Sequence, residues 1–163
     1  MSDVRDESAA DLAAIDDVHR AAFASEPHSL HNEHEIVRAL RASGKLAVSL
    51  VTEREGRVVA HVAASPVSIS GASGWYGLGP VGVLPAFQRA GIGKRLVGEA
   101  VKRLRAMGAQ GCVVVGEPAF YSKFGFRAEA ALVFPGVPAE YLQVLRFGAD
   151  APRGEVVYDR AFY

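Results

Sequence analysis

Apolar residues recur at the spacing of an amphipathic helix in three parts of the chain, residues 11–23, 32–44 and 92–107. In each part, apolar residues three or four positions apart fall on one face of a helix. The third part is the most regular and ends at Gly108, a residue type that commonly stops helices. Its apolar face consists of Ile92, Leu96, Val97, Ala100, Val101 and Leu104. We therefore predict two helices early in the chain and one long helix after its middle.

Strand patterns occupy most of the remaining sequence. Residues 45–55 and 56–69 are strand-like on either side of Glu55-Gly56, which predicts a β-hairpin. Residues 74–85 form a third, glycine-rich strand, and the apolar run 111–116 is typical of a strand buried on both faces. A short helix and two strands joined as a closing hairpin are predicted at 118–125, 141–147 and 154–163. This order predicts an α+β domain, or an α/β domain with a mixed sheet.

Composition and charge narrow the class of protein. The chain has 163 residues, 50% of them hydrophobic and 22% charged, which indicates one globular domain spanning residues 1–163. Acidic and basic residues balance at 18 each, so we expect no nucleic-acid or membrane partner. The start of the chain has no apolar segment of a secretory signal, which favours the cytoplasm. The lone Cys112 lies in an apolar run and is interpreted as a core thiol.

The glycines between residues 77 and 93 suggest a ligand that approaches the backbone closely. The segment GLGPVG matches a dinucleotide fingerprint in letters, but it continues as strand through Pro80 instead of turning into a helix. A phosphate-binding P-loop fails as well, because Arg95 stands where Ser or Thr is required. Gly91 and Gly93, by contrast, begin the long helix, where unpaired N–H groups favour an anion. A plain strand-to-helix turn is the structural alternative.

Three segments of the chain resemble the GNAT acetyltransferase superfamily. VGVLPAFQRAGIGKRLV resembles its motif A, Gln/Arg-x-x-Gly-x-Gly/Ala after a strand, with Gln88, Gly91 and Gly93 in the signature positions. FYSKFGF resembles the family's Tyr-x-x-x-Gly-Phe element. Together with the closing GEVVYDRAF, these segments are similar to the YhbS-like branch of the superfamily across nearly the whole chain. The resemblance implies a mostly antiparallel twisted sheet flanked by helices, with one parallel strand pair at the cofactor cleft.

The resemblance also implies a cofactor site and a proton donor. The backbone around the start of the long helix would bind the diphosphate of acetyl-CoA, and the preceding strand would bind its pantetheine arm. The cofactor-binding residues implied in this way are Val81, Gly82, Val83, Gln88, Arg89, Ala90, Gly91, Ile92, Gly93 and Lys94. A backbone N–H near Val83 would stabilise the oxyanion, and Tyr121 holds the family's position for the acid that protonates the leaving thiolate. The alternative role of Tyr121 is that of a core aromatic residue.

The base that deprotonates the acceptor amine is less clearly marked in the sequence. Glu117 ends the apolar strand beside the expected cleft and is the first candidate, although a carboxylate there also suits a helix start. Many family members carry asparagine after this strand, so the cofactor contacts of residues 116–119 are open. His61 is a second candidate. His28, His31 and His34 lack the neighbours of a metal site, so no metal is expected. The resemblance implies that these histidines and Glu33 border the acceptor pocket.

The sequence therefore predicts an acetyl-CoA-dependent N-acetyltransferase that acts by direct attack of an amine. The acceptor, a small molecule or a peptide amine, is not readable from the chain, because one fold serves many acceptors. The choice between a monomer and a homodimer also stays open. The alternative from another class is a non-catalytic acyl-CoA-binding sensor, which needs neither acid nor base. A donor with a longer acyl chain is a third possibility.

Overall fold

One twisted sheet forms the centre of the molecule, and the computed structural model describes residues 3–163 of the chain. The strands are β1 (Val4–Asp6), β2 (Val48–Arg54), β3 (Arg57–Ile69), β4 (Ala72–Val83), β5 (Gly111–Val115), β6 (Arg127–Ala128), β7 (Leu132–Val133), β8 (Leu142–Arg146) and β9 (Gly154–Val157). They follow the order β1-β2-β3-β4-β5-β8-β6 across the sheet, and β9 joins it at β3. The helices are α1 (Leu12–Phe23), α2 (Glu33–Ala42), α3 (Ile92–Ala106) and α4 (Pro118–Tyr121).

The sheet is mixed, as the sequence predicts. Its neighbouring strands are antiparallel except for β4 and β5, which run parallel. A short parallel pair of β7 and β9 lies beside it. A parallel pair requires a long crossover, and α3 supplies it between β4 and β5. The predicted α+β class, with a mostly antiparallel sheet and a parallel pair at β4 and β5, is therefore confirmed.

The parallel strands β4 and β5 separate soon after they begin. They pair only between Trp75–Gly77 of β4 and Gly111–Val113 of β5. Further along β4, the register with β3 shifts between Val62 and Ala64, so that Gly79 and Pro80 have no partner residue of their own. Such a bulge bends a strand and increases its twist. The last residues of β4 therefore lie beside an opening instead of beside β5.

Helices cover the sheet and bury its apolar side chains. α1 and α2 pack on each other and α1 packs on β3 and β4, whereas α3 packs across β2, β3 and β4. The predicted apolar face of α3 is buried along its whole length. Cys112 is fully buried in the core, and burial raises the pKa of its thiol to about 12, which confirms the interpretation as a core thiol. None of the helices in the described part of the chain is long and apolar enough to cross a membrane.

The predicted closing hairpin is wrong, because the last two strands do not pair with each other. β8 pairs with β5 on one side and with β6 on the other. β9 instead pairs with Ser68 and Ile69 at the end of β3. The cause is the length of β3, which extends beyond the part covered by β2 and leaves a free edge there. β9 also ends at Val157, earlier than the predicted strand 154–163. It is followed by a 3-10 turn over Arg160–Phe162.

Candidate active site

A cavity of about 520 Å³ opens where β4 and β5 have separated. Its walls come from the end of α1, the last residues of β4, the loop that follows, the first turn of α3 and the ring of Phe120. We call it the loop cavity. All the residues predicted to bind the cofactor line it except Ala90 and Ile92. Ala90 is exposed and the Ile92 side chain is buried in the core, so these two residues offer only their backbone to this site.

The loop enters α3 with backbone N–H groups that no side chain caps. Gly91 precedes the helix at a φ of 79°, a left-handed conformation that glycine adopts without strain. Gln88 donates from Nε2 to the carbonyl oxygen of Val83 at 3.0 Å and so ties the loop to the end of β4. Among residues 3–163, no side chain accepts a hydrogen bond from the N–H groups of residues 89–94. Because the first N–H groups of a helix have no partner within it, these donors face the cavity or solvent.

Positive charge surrounds these donors. Arg89 and Lys94, both predicted, line the loop cavity together with Lys123, which the sequence analysis missed. None of the three forms an ion pair with another residue of the described chain, and Glu26 is the one acidic residue of the lining. Lys123 reaches the site because it follows α4 in a 3-10 turn, a local geometry without a sequence signature. Helix-start amides with flanking cations form a site for a phosphate-like anion.

A second cavity of about 370 Å³ adjoins the first and is mainly apolar and aromatic. We call it the aromatic cavity. Phe23 and Val81 line both cavities, so the two spaces meet at the end of α1 and at β4. Glu33, at the start of α2, is the only charged residue of its lining and accepts a hydrogen bond from Ser29 Oγ at 2.5 Å. One cavity therefore favours an anion, and the other favours an apolar molecule with a cationic group.

Tyr121 lies in the wall of the aromatic cavity. Its ring packs edge-on against Phe120 and Phe126, with ring centroids 4.9 and 5.7 Å away. It also covers Gly116, where a Cβ would lie only 2.4 Å from the ring, so glycine at the end of β5 makes room for it. Burial raises the pKa of the Tyr121 phenol to about 12. The residue is thus both a packed aromatic and a phenol that stays protonated at neutral pH.

Comparison with known proteins identifies the family that has this arrangement. Residues 45–128 match the acetyltransferase (GNAT) domain. The uncharacterized N-acetyltransferase YhbS of Escherichia coli K12 is 34% identical over 157 residues, which are 93% of this chain and 90% of YhbS. The chain belongs to the GNAT acetyltransferase family.

Two solved GNAT structures are similar to the chain over almost its full length. A GNAT family acetyltransferase from Brucella melitensis, in complex with acetyl-CoA, is 47% identical, with 98% of this chain and 97% of that chain covered and a TM-score of 0.88. YhbS from Escherichia coli, in complex with CoA, is 33% identical with the same TM-score, and 98% of this chain and 90% of that chain are covered. The fold and the family implied by the sequence are thereby confirmed.

Within this GNAT fold, Glu117 is not brought to either cavity. It precedes α4, and its side chain is exposed and absent from both linings. Its carbonyl oxygen accepts hydrogen bonds from the N–H groups of Phe120 and Tyr121, both at 3.1 Å. The backbone of Glu117 thus starts the short helix that carries Tyr121. A role of its carboxylate as the base stays a prediction without support from this geometry.

His61, the second candidate base, is fully buried inside the sheet and lines neither cavity. It contacts His19 of α1, which is also fully buried and lies over Gly82 of the loop cavity. Sequence reasoning missed His19 because it lies on the apolar face of α1, where a histidine has no partner visible in the sequence. Among residues 3–163, no group of three His, Cys, Asp or Glu side chains is placed to hold a metal ion.

The two buried histidines predict that acid destabilises the fold. Burial lowers the pKa of His19 to about 4 and that of His61 well below its usual value, so both are neutral in the native state at neutral pH. Below about pH 6.5 the unfolded chain binds protons that the native state excludes, so stability falls as pH falls. For His19 alone the loss is roughly 2 kcal/mol at pH 5.

Denaturant unfolding at pH 7.5 and pH 5 measures this loss. We expect the His19→Gln variant to lose less stability between the two pH values than the wild type does. The exposed His28 provides the control, since His28→Gln should leave the pH dependence unchanged. Equal pH dependence in His19→Gln and the wild type would mean that His19 is not held neutral in the native state.

Proposed function

We propose that this chain transfers the acetyl group of acetyl-CoA to the amine of a small acceptor. The observation that carries the proposal is the set of uncapped N–H groups at the start of α3, next to three cations that have no ion-pair partner among the described residues. The diphosphate of acetyl-CoA is an anion of matching chemistry. The similarity to GNAT structures solved with acetyl-CoA and with CoA supports the same ligand.

The pantetheine arm would lie along the end of β4. Beyond Gly77, β4 has lost its neighbour β5, so the edge of Val81, Gly82 and Val83 has no partner strand on that side within the described chain. An extended amide chain can pair with such an edge as an added strand does. In this position a backbone N–H near Val83 would polarise the thioester carbonyl and stabilise the oxyanion of the adduct.

Transfer needs one bond made, one bond broken and two proton movements. The amine nitrogen attacks the thioester carbon, and the carbon–sulfur bond then breaks to release CoA as a thiolate. The thiolate accepts a proton, which we assign to the Tyr121 hydroxyl in the wall of the aromatic cavity, and the phenolate regains a proton from solvent before the next turnover. Its raised pKa keeps this hydroxyl protonated at neutral pH, as a proton donor must be. The amine attacks in its neutral form, after its ammonium form has released one proton to solvent, and its nitrogen loses a second proton as the amide forms.

The aromatic cavity would bind the acceptor. Its apolar lining favours an amine carried on an apolar or aromatic body, because polar groups would lose hydration there without gaining partners. Glu33 is the one carboxylate that can pair with an approaching ammonium group. We therefore expect arylalkyl amines such as 2-phenylethylamine to be better acceptors than polyamines. Release of CoA, measured across a panel of both classes, tests this preference.

Removal of the Glu33 charge should weaken binding of the acceptor amine without affecting binding of acetyl-CoA. For Glu33→Gln we expect the Michaelis constant for the arylalkyl amine to rise about tenfold, the scale of a lost hydrogen bond to a charged group. The dissociation constant of acetyl-CoA should stay unchanged, because Glu33 does not line the loop cavity. Glu35, exposed two positions further along α2, is the matched control, and Glu35→Gln should change neither constant. An unchanged Michaelis constant in Glu33→Gln would remove Glu33 from the acceptor site.

Gly91 offers a test of the diphosphate site with a control on the same helix. Gly91 and Gly108 flank α3 at φ of 79° and 82°, and nothing lies within 4 Å of a Cβ built at either residue. Alanine in this conformation costs roughly 1 kcal/mol, so both Gly→Ala variants should lose similar stability. Only Gly91→Ala should also weaken binding of acetyl-CoA, by about tenfold, because the backbone N–H donors would turn away from the diphosphate. Isothermal titration calorimetry measures the affinity, and equal affinity in the two variants would argue against this site.

The alternative is a sensor that binds acyl-CoA without transferring it. The exposed position of Glu117 favours it, since the first candidate base does not reach the cavities. Calorimetry and the CoA-release panel separate the two functions. Binding without release for any amine would favour the sensor, whereas release by an amine establishes the transferase. We also keep as proposals that residues 1–163 form one catalytic domain and that it works in the cytoplasm.

A further inference from the structure

A chain of hydrogen bonds crosses the interior of the protein from the N-terminal segment to His19, which packs against Gly82 of the loop cavity. At its outer end, Arg41 binds both carboxylate oxygens of Glu7, each at 2.8 Å. Glu7 Oε1 lies in a short contact with Ser49 Oγ, which is 2.8 Å from His61 Nε2. His61 Nδ1 is in turn 2.8 Å from His19 Nε2. The proposed transfer reaction uses none of these side chains.

The charge of Glu7 determines where the protons of this chain lie. Burial opposes ionisation of Glu7, but the hydrogen bonds from Arg41 and Ser49 outweigh it and lower its pKa. An ionised carboxylate only accepts hydrogen bonds, so Ser49 must donate to it and can only accept from His61 Nε2. His61 therefore carries its proton on Nε2, and its bare Nδ1 accepts from His19 Nε2. The second ring nitrogen of His19, Nδ1, is then left with a free lone pair.

That lone pair has no partner among the described residues and lies behind Gly82, a residue that lines the loop cavity, although the His19 ring itself lines neither cavity. His19 Nδ1 is buried and makes no hydrogen bond within the described chain. A Cβ built on Gly82 would lie 2.9 Å from it, so residue 82 has no side chain to separate this nitrogen from the strand edge. Gly82 and its neighbours Ala22 and Phe23 all line the loop cavity. A buried polar atom without a partner calls for an explanation, which packing alone does not give.

We propose that His19 is the base that deprotonates the attacking amine, and that His61, Ser49 and Glu7 position it. This rests on the proposed transfer reaction. As the nitrogen–carbon bond forms, a proton on nitrogen moves to His19 Nδ1 through one water beside Gly82, where no side chain separates the nitrogen from the strand edge. A shift of the Nε2 proton to His61 Nδ1 then moves the positive charge onto His61, whose Nε2 is 3.9 Å from Glu7 Oε1. The shifts reverse when the products leave, and the proton returns to solvent.

The surroundings of the two histidine rings keep His19 unprotonated. Burial lowers the pKa of His19, Asp16 of α1 opposes this effect and His34 of α2 adds to it. Burial, His19 and Arg41 lower the pKa of His61, and the Glu7 carboxylate paired with Arg41 lies 3.9 Å from His61 Nε2. At neutral pH both rings are therefore neutral, and His19 offers its lone pair instead of a bound proton. The role of general base, which the sequence suggested for His61, is thus assigned to its hydrogen-bonded neighbour His19.

Nuclear magnetic resonance of the full chain tests the proton positions without any acceptor. Long-range ¹H–¹⁵N correlation spectra distinguish the ring nitrogens that carry a proton from those that are bare. At pH 7 we expect His19 and His61 both neutral with the proton on Nε2. The Ser49→Ala variant should lose this single arrangement at His61. A proton on His19 Nδ1, or a charged His19 at pH 7, would overturn the proposal whatever the acceptor is.

Kinetics with acetyl-CoA and 2-phenylethylamine test the function of the chain. We expect Ser49→Ala to lower kcat about tenfold, because nothing then holds the tautomer that the base requires. Ser65 is the matched control: its hydroxyl is also in the sheet, is buried and has no partner within the described chain, so Ser65→Ala should keep the wild-type kcat. Both variants should bind acetyl-CoA as the wild type does. Equal kcat values in the two variants would contradict a positioning role of Ser49.

Rescue of His19→Ala separates a base from a packing residue. We expect kcat to fall about 100-fold, within the usual contribution of a general base. Added imidazole should restore part of the activity, whereas pyrrole, a ring of the same size without a basic nitrogen, should not. Equal restoration by both rings would show that His19 only fills space. If the wild type binds acetyl-CoA but does not acetylate the amine, the proposed acceptor class fails, and the tautomers measured by magnetic resonance still decide the proposal for His19.

Discussion

Replacement of Gly93 by aspartate should abolish acetyl-CoA binding while leaving the fold at least as stable. Gly93 lies in the first turn of α3 and lines the loop cavity, and a Cβ there would only touch Val83 and Phe120, at 3.7 and 3.9 Å. A carboxylate at a helix start is favoured by the helix dipole by roughly 0.3–1 kcal/mol. The same carboxylate about 4 Å from a phosphate repels it by about 4 kcal/mol at an effective dielectric constant of about 20.

The two effects have opposite signs, which makes the variant diagnostic. Calorimetry should show a dissociation constant at least about 100-fold higher, since 1.4 kcal/mol corresponds to a factor of ten. Denaturant unfolding should show an unchanged or higher free energy of unfolding. Gly93→Ala is the control: it adds the methyl group without the charge and should bind acetyl-CoA nearly as well as the wild type. If Gly93→Asp kept wild-type affinity, the diphosphate could not lie at this helix start.

Replacement of Tyr121 by phenylalanine should lower kcat by about 100-fold or more, the scale of general acid catalysis. The phenyl ring keeps the contacts with Phe120, Phe126 and Gly116, so the packing stays intact. The hydroxyl makes no hydrogen bond within the described chain, so its removal leaves no partner unsatisfied. The dissociation constant of acetyl-CoA should therefore hardly change. Steady-state kinetics with 2-phenylethylamine and calorimetry measure the two quantities.

Tyr76 is the matched control for this variant. It lies on β4, is half-buried and lines neither cavity, so Tyr76→Phe should retain the wild-type kcat. A kcat of Tyr121→Phe equal to that of the wild type would end the assignment of Tyr121 as the acid. A parallel loss of kcat and acetyl-CoA affinity would instead indicate that the hydroxyl holds the cofactor in place.

Local patterns explain why much of the site was predictable from sequence. The apolar face of α3 follows from helical spacing. The positive φ at position 91 favours glycine, and a glycine is recognisable directly in the sequence. The motif around Gln88 and Gly93 is one continuous segment. Its resemblance to the family motif therefore predicts where the loop lies in the chain. Tyr121 ends a short helix whose start is marked by proline. Each of these features depends on residues that are neighbours in the chain.

Contacts between distant segments were not predictable. His19 and His61 are 42 residues apart, and neither has a partner that helical or strand periodicity would reveal. The placement of β9 on β3 depends on where β2 stops covering β3, which local propensity does not encode. Glu117 looked close to the cleft because it follows β5, but the start of α4 leaves its side chain exposed. Its carboxylate therefore lines neither cavity.

The central claim is that free backbone donors before and within the first turn of α3 bind the diphosphate of acetyl-CoA. A crystal structure of this chain with CoA tests it most directly. We predict diphosphate oxygens at about 3 Å from backbone nitrogens of residues 89–94. Lys94 or Lys123 should lie beside them, and the pantetheine arm should follow Val81 to Val83. A diphosphate bound elsewhere on the protein, with those nitrogens still unoccupied, would contradict the claim.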